Sequence, residues 1–418
     1  MNKILLHNLS VKYLKPGSGL YNFDQLGVFF AEGGDVLVTR EKIPDAYISF
    51  LESIGISSQR VKFIYSKEEL TNSPDAIFSD KEIANEVISI VKDSQSEWIL
   101  DNFVLTEYEA KWAKKINLNF NGDPDHYYLF GNKSKFKSLA KKNNFLVPKG
   151  YEGQKKIIDG LISTSLLFLR GFNEVVIKQD EGVAALGSRR ITRDQFISHF
   201  SKLDRLFPDP LKVGVIPTHS RNFLVEAWYN DVVHSPSIQL YISPNKEINV
   251  LSTHAQLMYD DKMRYKGCVS DYLLEKEELN LKVVKEGVAL GEIFAAEGYR
   301  GHLSFNAISL KENQLIWTEL NPRRVISSYP FQIRKRLYGN NAKKFKYISR
   351  HVMKKAWRGK PIEFVLDALA PVLFTRKNRQ GIVPFDYSLL SSEGQLSLVG
   401  FSEDVNELNK MFRYVDAT

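Results

Sequence analysis

A single cysteine among 418 residues, Cys268, leaves no internal disulfide to form. That excludes the small stapled scaffolds of oxidising compartments and makes a reducing, cytoplasmic setting the expectation. Long apolar runs are missing too. The longest candidate, Phe364 to Phe374, reads as strand-like, is interrupted by Asp367 and Pro371, and falls short of the roughly 20 residues a membrane span needs. The N-terminal MNKILLHNLSVKY holds an apolar run too brief for the core of a secretory signal. No GxGxxG, GxxxxGK[ST] or GxSxG occurs, and no His, Cys and carboxylate spacing resembles a zinc site. Internal repeats and low-complexity segments are absent, which sets solenoids aside.

What is present is ordinary globular material: 43% hydrophobic and 25% charged residues, in a chain long enough for two or three domains. The formal charge of +8 favours phosphate- or carboxylate-bearing partners. Lys and Arg are nonetheless spread along the chain, with concentrations at Lys133 to Lys142 and Arg334 to Arg336. No compact basic stripe interleaves with aromatics, which argues against nucleic acid.

From Met1 to about Asn121, apolar segments at Asp35–Arg40, Arg60–Tyr65, Glu97–Leu100 and Ile116–Phe120 read as strands. They alternate with helical patterns at Ala46–Ile54, Ser79–Lys92 and Thr106–Lys115, an alternation that predicts a mostly parallel sheet. The turn-rich Asn121 to His126 marks a boundary, followed by a helix over Ser134 to Lys142 and a short strand ending at Pro148. Lys133 opens that helix, where a cation opposes the helix dipole, a hint of a task outside it. Val175 to Ile177 read as a buried strand that carries Lys178, and a buried lysine needs an anionic partner or loses its charge. In the loop that follows, Gly182, Gly187 and Ser188 allow close approach of backbone N–H groups to an anion. Asn222 to Asp231 runs from strand to turn through Glu226, Ala227 and Trp228. Antiparallel strands follow, in which His234 and His254 read as packed or surface residues rather than ligands. A long helical pattern spans Leu273 to Glu297.

The stretch GYRGHLSFNAISLKENQLIWTELNPRR, Gly298 to Arg324, reads as a hairpin with its turn at Lys311 to Gln314. Alternation places Leu315, Trp317, Glu319 and Asn321 on one face, with Asn306 opposite Glu319 and Ser304 opposite Asn321. A carboxylate with amide carbonyls suits a hard cation such as Mg2+. Pro322 ends the strand and Arg323 and Arg324 leave it; a basic helix and a tail with a strand at Leu396–Phe401 and a helix at Glu403–Phe412 complete the chain.

The ordered succession of GNKS with Lys133, strand Lys178, the Gly182 to Ser188 loop, Glu226, GYRG and ELNPRR resembles the ATP-grasp superfamily over roughly Asn121 to Pro330, and most resembles its pheganomycin-type peptide ligases. The resemblance implies an α/β protein in three parts. Residues 1–121 would form a Rossmann-like α/β pre-ATP-grasp domain. Residues 122–330 would form the ATP-grasp core, with a Gly-loop lobe at about 150–225 and a metal-binding lobe at about 226–330, both α+β. Residues 331–418 would be a C-terminal extension. By the same resemblance Lys133 and Lys178 contact the α and β phosphates of ATP, and Gly182, Gly187 and Ser188 close over the triphosphate. Glu226, Ala227 and Trp228 meet the adenine, Glu319, Asn321 and Asn306 hold Mg2+, and Arg323, with Lys178, serves the transferring phosphoryl group. Where the family usually has an aspartate on the first hairpin strand, Asn306 lowers the negative charge of the site.

The implied activity is an ATP-dependent carboxylate–amine ligase that forms an amide or peptide bond through an acyl phosphate, acting on an amino acid or small peptide. Its partners would be a small-molecule carboxylate and an amine, with no membrane and with homodimerisation left open. The rivals are an ATP-dependent phosphotransferase and a non-catalytic nucleotide-binding protein.

Overall fold

The computed structural model describes residues 1–11, 23–56, 58–67, 70, 75–182, 188–198, 222–259, 263–270 and 276–418. Four parallel strands come first, β1 (Asn2–Leu6), β2 (Val36–Thr39), β3 (Lys62–Tyr65) and β4 (Trp98–Asn102), in the order β3-β2-β1-β4. Helices α1 (Asp45–Ser53), α2 (Ala76–Ser79), α3 (Lys81–Asp93) and α4 (Glu107–Lys115) accompany them. Asp80 caps α3 by accepting from the N–H groups of Glu82 and Ile83, and Thr106 with Glu109 forms a capping box on α4. The expected parallel layer is present, with two differences. Ile116–Phe120 forms no strand: Asn117, at φ +56°, turns the chain, and Asn119 makes one isolated bridge to Ile99. Strand β1 escapes the pattern because Ile4, Leu5 and Leu6 are all buried, so no alternation marks it.

The turn-rich boundary holds a helix start. Asp123 caps α5 (Pro124–Gly131) with proline at its first turn, and α6 (Lys133–Lys142) follows at once. The strand expected to end at Pro148 instead begins after it as β5 (Gly150–Gln154), since proline brings no N–H to a ladder. Then α7 (Ile157–Leu169), β6 (Glu174–Gln179), β7 (Arg189–Thr192), α8 (Arg193–Ser198) and β8 (Phe223–Ala227) build a small antiparallel sheet, β5-β8-β6-β7.

The largest sheet is antiparallel and ordered β13-β12-β9-β10-β11-β14-β16-β15. Its strands are β9 (Pro236–Ile242), β10 (Ile248–Met258), β11 (Tyr265–Ser270), β12 (Gly301–Ser309), β13 (Leu315–Asn321), β14 (Lys346–Met353), β15 (Gly381–Asp386) and β16 (Gln395–Ser402). Helix α9 (Glu277–Ala296) lies across β9 and β10, so closely that a Cβ on Gly287 would stand 2.7 Å from the Ile238 side chain. Helices α10 (Ser328–Tyr338), α11 (Ile362–Leu369), α12 (Leu390–Glu393) and α13 (Val405–Ala417) complete the chain. The strand-like Phe364 to Phe374 is therefore mostly helix. The buried residues of α11, Ile362, Val365, Leu366 and Leu369, recur at helical spacing, which overrides the apolar run.

Register makes the two faces of this sheet unlike. Glu319 pairs with Asn306, Asn306 with Ser237, Ser237 with His254, and His254 with Ser270. Directly paired residues share a face, so these five form one polar row across five strands. The intervening residues Ile238, Leu240, Phe305 and Leu320 enter the apolar core with α9. The expectation of one common face for Leu315, Trp317, Glu319 and Asn321 fails at a bulge. Asn306 pairs with Glu319 but Ala307 pairs with Trp317, so Thr318 is an extra residue on β13. Leu315 and Trp317 accordingly join the core, and Glu319 turns to the polar face.

Candidate active site

Lys133 reaches the polar row from the start of α6, its Nζ 3.9 Å from Glu319 Oε1. That helix start is pinned to the end of β6: Lys133 N–H donates to the Asp180 carbonyl at 3.0 Å, and Ser134 N–H to the Asp180 carboxylate at 3.2 Å. Lys178 comes from β6 itself, and its Nζ lies 2.9 Å from Glu226 Oε2. Burial lowers the Lys178 pKa to about 8; Glu319 opposes that shift and Lys133 adds to it. Lys133, Lys178 and Glu319 are thus one electrostatic group between the small sheet and the large one, with Asn306 paired beside Glu319.

The hairpin donors are held as predicted opposite one another. Asn306 Oδ1 accepts from Ser237 Oγ at 2.8 Å, and Asn321 Oδ1 accepts from the Arg323 guanidinium at 3.0 Å. Arg323 also lies over the Phe103 ring, 5.5 Å from its centroid, and among the described residues it has no carboxylate at ion-pair distance. Arg324, its neighbour, is a tie between layers. It binds Asp101 at 2.6 Å, donates its backbone N–H to Phe103 O and covers the Phe30 ring. Burial alone would raise the Asp101 pKa, but Arg324 and His7 together hold it below the usual carboxylate range.

Other expected ligands are placed differently. The Glu226 carboxylate turns inward, 2% exposed, and contacts both Lys178 and Lys137. Burial drives the Lys137 pKa down. The N–H groups of Ala227 and Trp228 are spent on Lys149 O and Glu174 O, and the Trp228 ring lies under Arg190 at 4.6 Å. Gly182 and Ser188 are half-buried at the two ends of their loop; Gly187, with the rest of residues 183–187, lies outside the described residues.

Searches with the sequence alone returned nothing: no protein-family model and no curated protein matches. The structure has many counterparts. The biotin carboxylase of Campylobacter jejuni, solved as a beta-gamma-ATP complex, matches with a TM-score of 0.60 and 11% identity over 99% of this chain and 90% of its own. N5-carboxyaminoimidazole synthase of Aspergillus clavatus, solved with ADP and 5-aminoimidazole ribonucleotide, also gives 0.60 and 11%, over 100% and 98%. The L-amino acid ligase of Bacillus licheniformis gives 0.53 and 15%, over 100% and 97%. The chain has the ATP-grasp fold.

Within the ATP-grasp fold, sequence reasoning passed over Lys137 and Ser237 and read His254 as packed or surface, and its full burial makes it packed. Lys137 was one lysine among many, although it follows the buried Phe136 on the inner side of α6. Ser237 and His254 lie in the polar row, and His254 is fully buried with, among the described residues, no hydrogen-bond partner for either ring nitrogen. The signal for that row was available. Ser235, Ser237, Gln239 and Tyr241 alternate strictly with Pro236, Ile238, Leu240 and Ile242. Among the described residues, no helix is long and apolar enough to cross a membrane.

Proposed function

We propose that this chain is an ATP-dependent carboxylate–amine ligase that forms an amide bond through an acyl phosphate. The observation that carries the reading is the convergence of two lysines, one carboxylate, two amide carbonyls and an arginine that has no carboxylate partner among the described residues, on one polar face of the ATP-grasp fold. Lys133 and Lys178 face where a triphosphate would lie, and phosphoryl transfer depends on such positioning and charge neutralisation. In this reading ATP draws Lys178 away from Glu226, and Lys137 stays behind as the counter-charge of that buried carboxylate. A substrate carboxylate oxygen bonds to the γ-phosphorus as the bond to the β–γ bridging oxygen breaks, and ADP leaves. An amine then attacks the carbonyl carbon, phosphate departs, and the amine proton passes to solvent. Arg323 holds the carboxylate and then the acyl phosphate.

The donor set fits Mg2+. Glu319, Asn321 and Asn306 supply hard oxygens, and among the described residues no cluster of three His, Cys, Asp or Glu competes for a softer metal. When bound, the ion would neutralise phosphate charge. A single carboxylate holds it weakly, so the ion is expected to arrive with the nucleotide.

Replacing Glu319 by Gln tests the reading. ADP release that requires both a carboxylate and an amine should fall at least about 100-fold, while the melting temperature stays near that of the parent. Undiminished turnover in this variant would sink the assignment, and ADP release with a single acceptor would point to a phosphotransferase.

A further inference from the structure

The cavity that opens beyond Arg323 has a composition of its own. About 340 Å³ in volume, it runs between the end of β4, the start of β12 and the segment after β13. Ligand cavities span roughly 300–1,000 Å³, so this one is of the size that takes a single compact molecule. Four aromatic residues line it, Phe103, Tyr127, Tyr241 and Tyr299. Arg300 and Arg323 line it as well, and among the described residues neither has a carboxylate at ion-pair distance. The two lining carboxylates are already engaged. Asp101 is bound to Arg324, and Asp123 caps α5 through the Asp125 N–H.

The cavity therefore presents uncompensated positive charge at Arg300 and at Arg323, whose guanidinium also bonds Asn321, and rings along its walls. We propose that it binds the carboxylate substrate, and that this substrate is a small aromatic carboxylate of single amino-acid size, its carboxylate on Arg323 and its ring against Tyr241. The inference rests on the ligase reading for the identity of the reacting group, and on the cavity for the chemical class. Arginine recognises a carboxylate through paired N–H donors, and Tyr241 is the natural ring partner because it stands on the polar face of β9, two residues along from Gln239 and four from Ser237.

Calorimetric titration of the full chain with L-phenylalanine, L-leucine and phenethylamine separates the two contributions. L-Phenylalanine should bind at least about 10-fold more tightly than leucine, which lacks the ring, or phenethylamine, which lacks the carboxylate. Tyr241→Leu should weaken phenylalanine about 3- to 10-fold, with ATP affinity and leucine binding unchanged, and Tyr241→Phe should restore it. Leucine binding as tightly as phenylalanine, or a Tyr241→Leu chain indistinguishable from the parent, would overturn the inference. The ligase reading fails separately. Phenylalanine that binds as described but supports no ADP release with any amine keeps the cavity and removes the reaction. ADP release with aliphatic carboxylates and no affinity for phenylalanine does the reverse.

Discussion

The two faces of the large sheet are made from the same strands and obey opposite rules. On one, Ile238, Leu240, Phe305 and Trp317 pack against α9, and two glycines on that helix let it approach. On the other, Glu319, Asn306, Ser237, His254 and Ser270 follow one another across five strands, and among the described residues the buried His254 has no hydrogen-bond partner. A buried polar group without a partner costs folding free energy. One face therefore stabilises the fold, and the other, which carries the proposed site, includes a buried imidazole that costs stability. A substitution should move stability in opposite directions depending on which face it touches.

The largest effect belongs to the apolar face. Trp317 is fully buried and its indole N–H donates to Glu286 on α9 at 2.8 Å. Trp317→Ala should cost about 3–5 kcal/mol, from lost burial, a cavity and an unpaired Glu286. Denaturant unfolding measures this, and a loss under about 1 kcal/mol would show that the bulge at Thr318 does not separate the faces as described.

A smaller effect belongs to charge on the site side. Lys178 carries a pKa lowered to about 8, chiefly by burial. In the proposed reading its protonated form meets the triphosphate, so ATP affinity is expected to be highest below pH 8 and to fall as the pH rises through that value. The fall should reach about tenfold between pH 7 and pH 9. Lys178→Arg, charged throughout, should flatten the profile. A parent chain whose ATP affinity ignores pH over this range would remove Lys178 from the phosphate site.

How much of this contrast could be read in the sequence depends on what fixes each feature. The Asn306–Glu319 and Ser304–Asn321 pairings were legible because a hairpin turn sets register locally. The bulge at Thr318 was not, because it depends on which face α9 covers. Lys178 was legible as a strand lysine needing an anion; that the anion is Glu226, and that Lys137 shares it, required the meeting of α6, β6 and β8. The inward turn of the Glu226 carboxylate was hidden for the same reason. Strand β1 and helix α11 show the limit of apolar runs: without alternation or clear boundaries, length and period decide between strand and helix only after neighbours are placed. Asp101 and Arg324 are more than 200 residues apart and left no local trace of their pairing.

The smallest effect is the most discriminating, because it carries the opposite sign from Trp317→Ala. Burial lowers the His254 pKa to about 4, and no charged neighbour contributes. The folded chain therefore resists a proton that the unfolded chain accepts near 6.5, so this residue's share of stability is present above 6.5 and is lost as the pH falls toward 4. His254→Leu removes that titration and a buried group with no hydrogen bond to lose. At pH 7 it should leave stability unchanged or raise it by about 1 kcal/mol, and the acid-induced loss between 6.5 and 4 should shrink. A His254→Leu chain that is less stable at pH 7 would mean that the imidazole is a packing element of the fold, and the polar row would then end at Ser237.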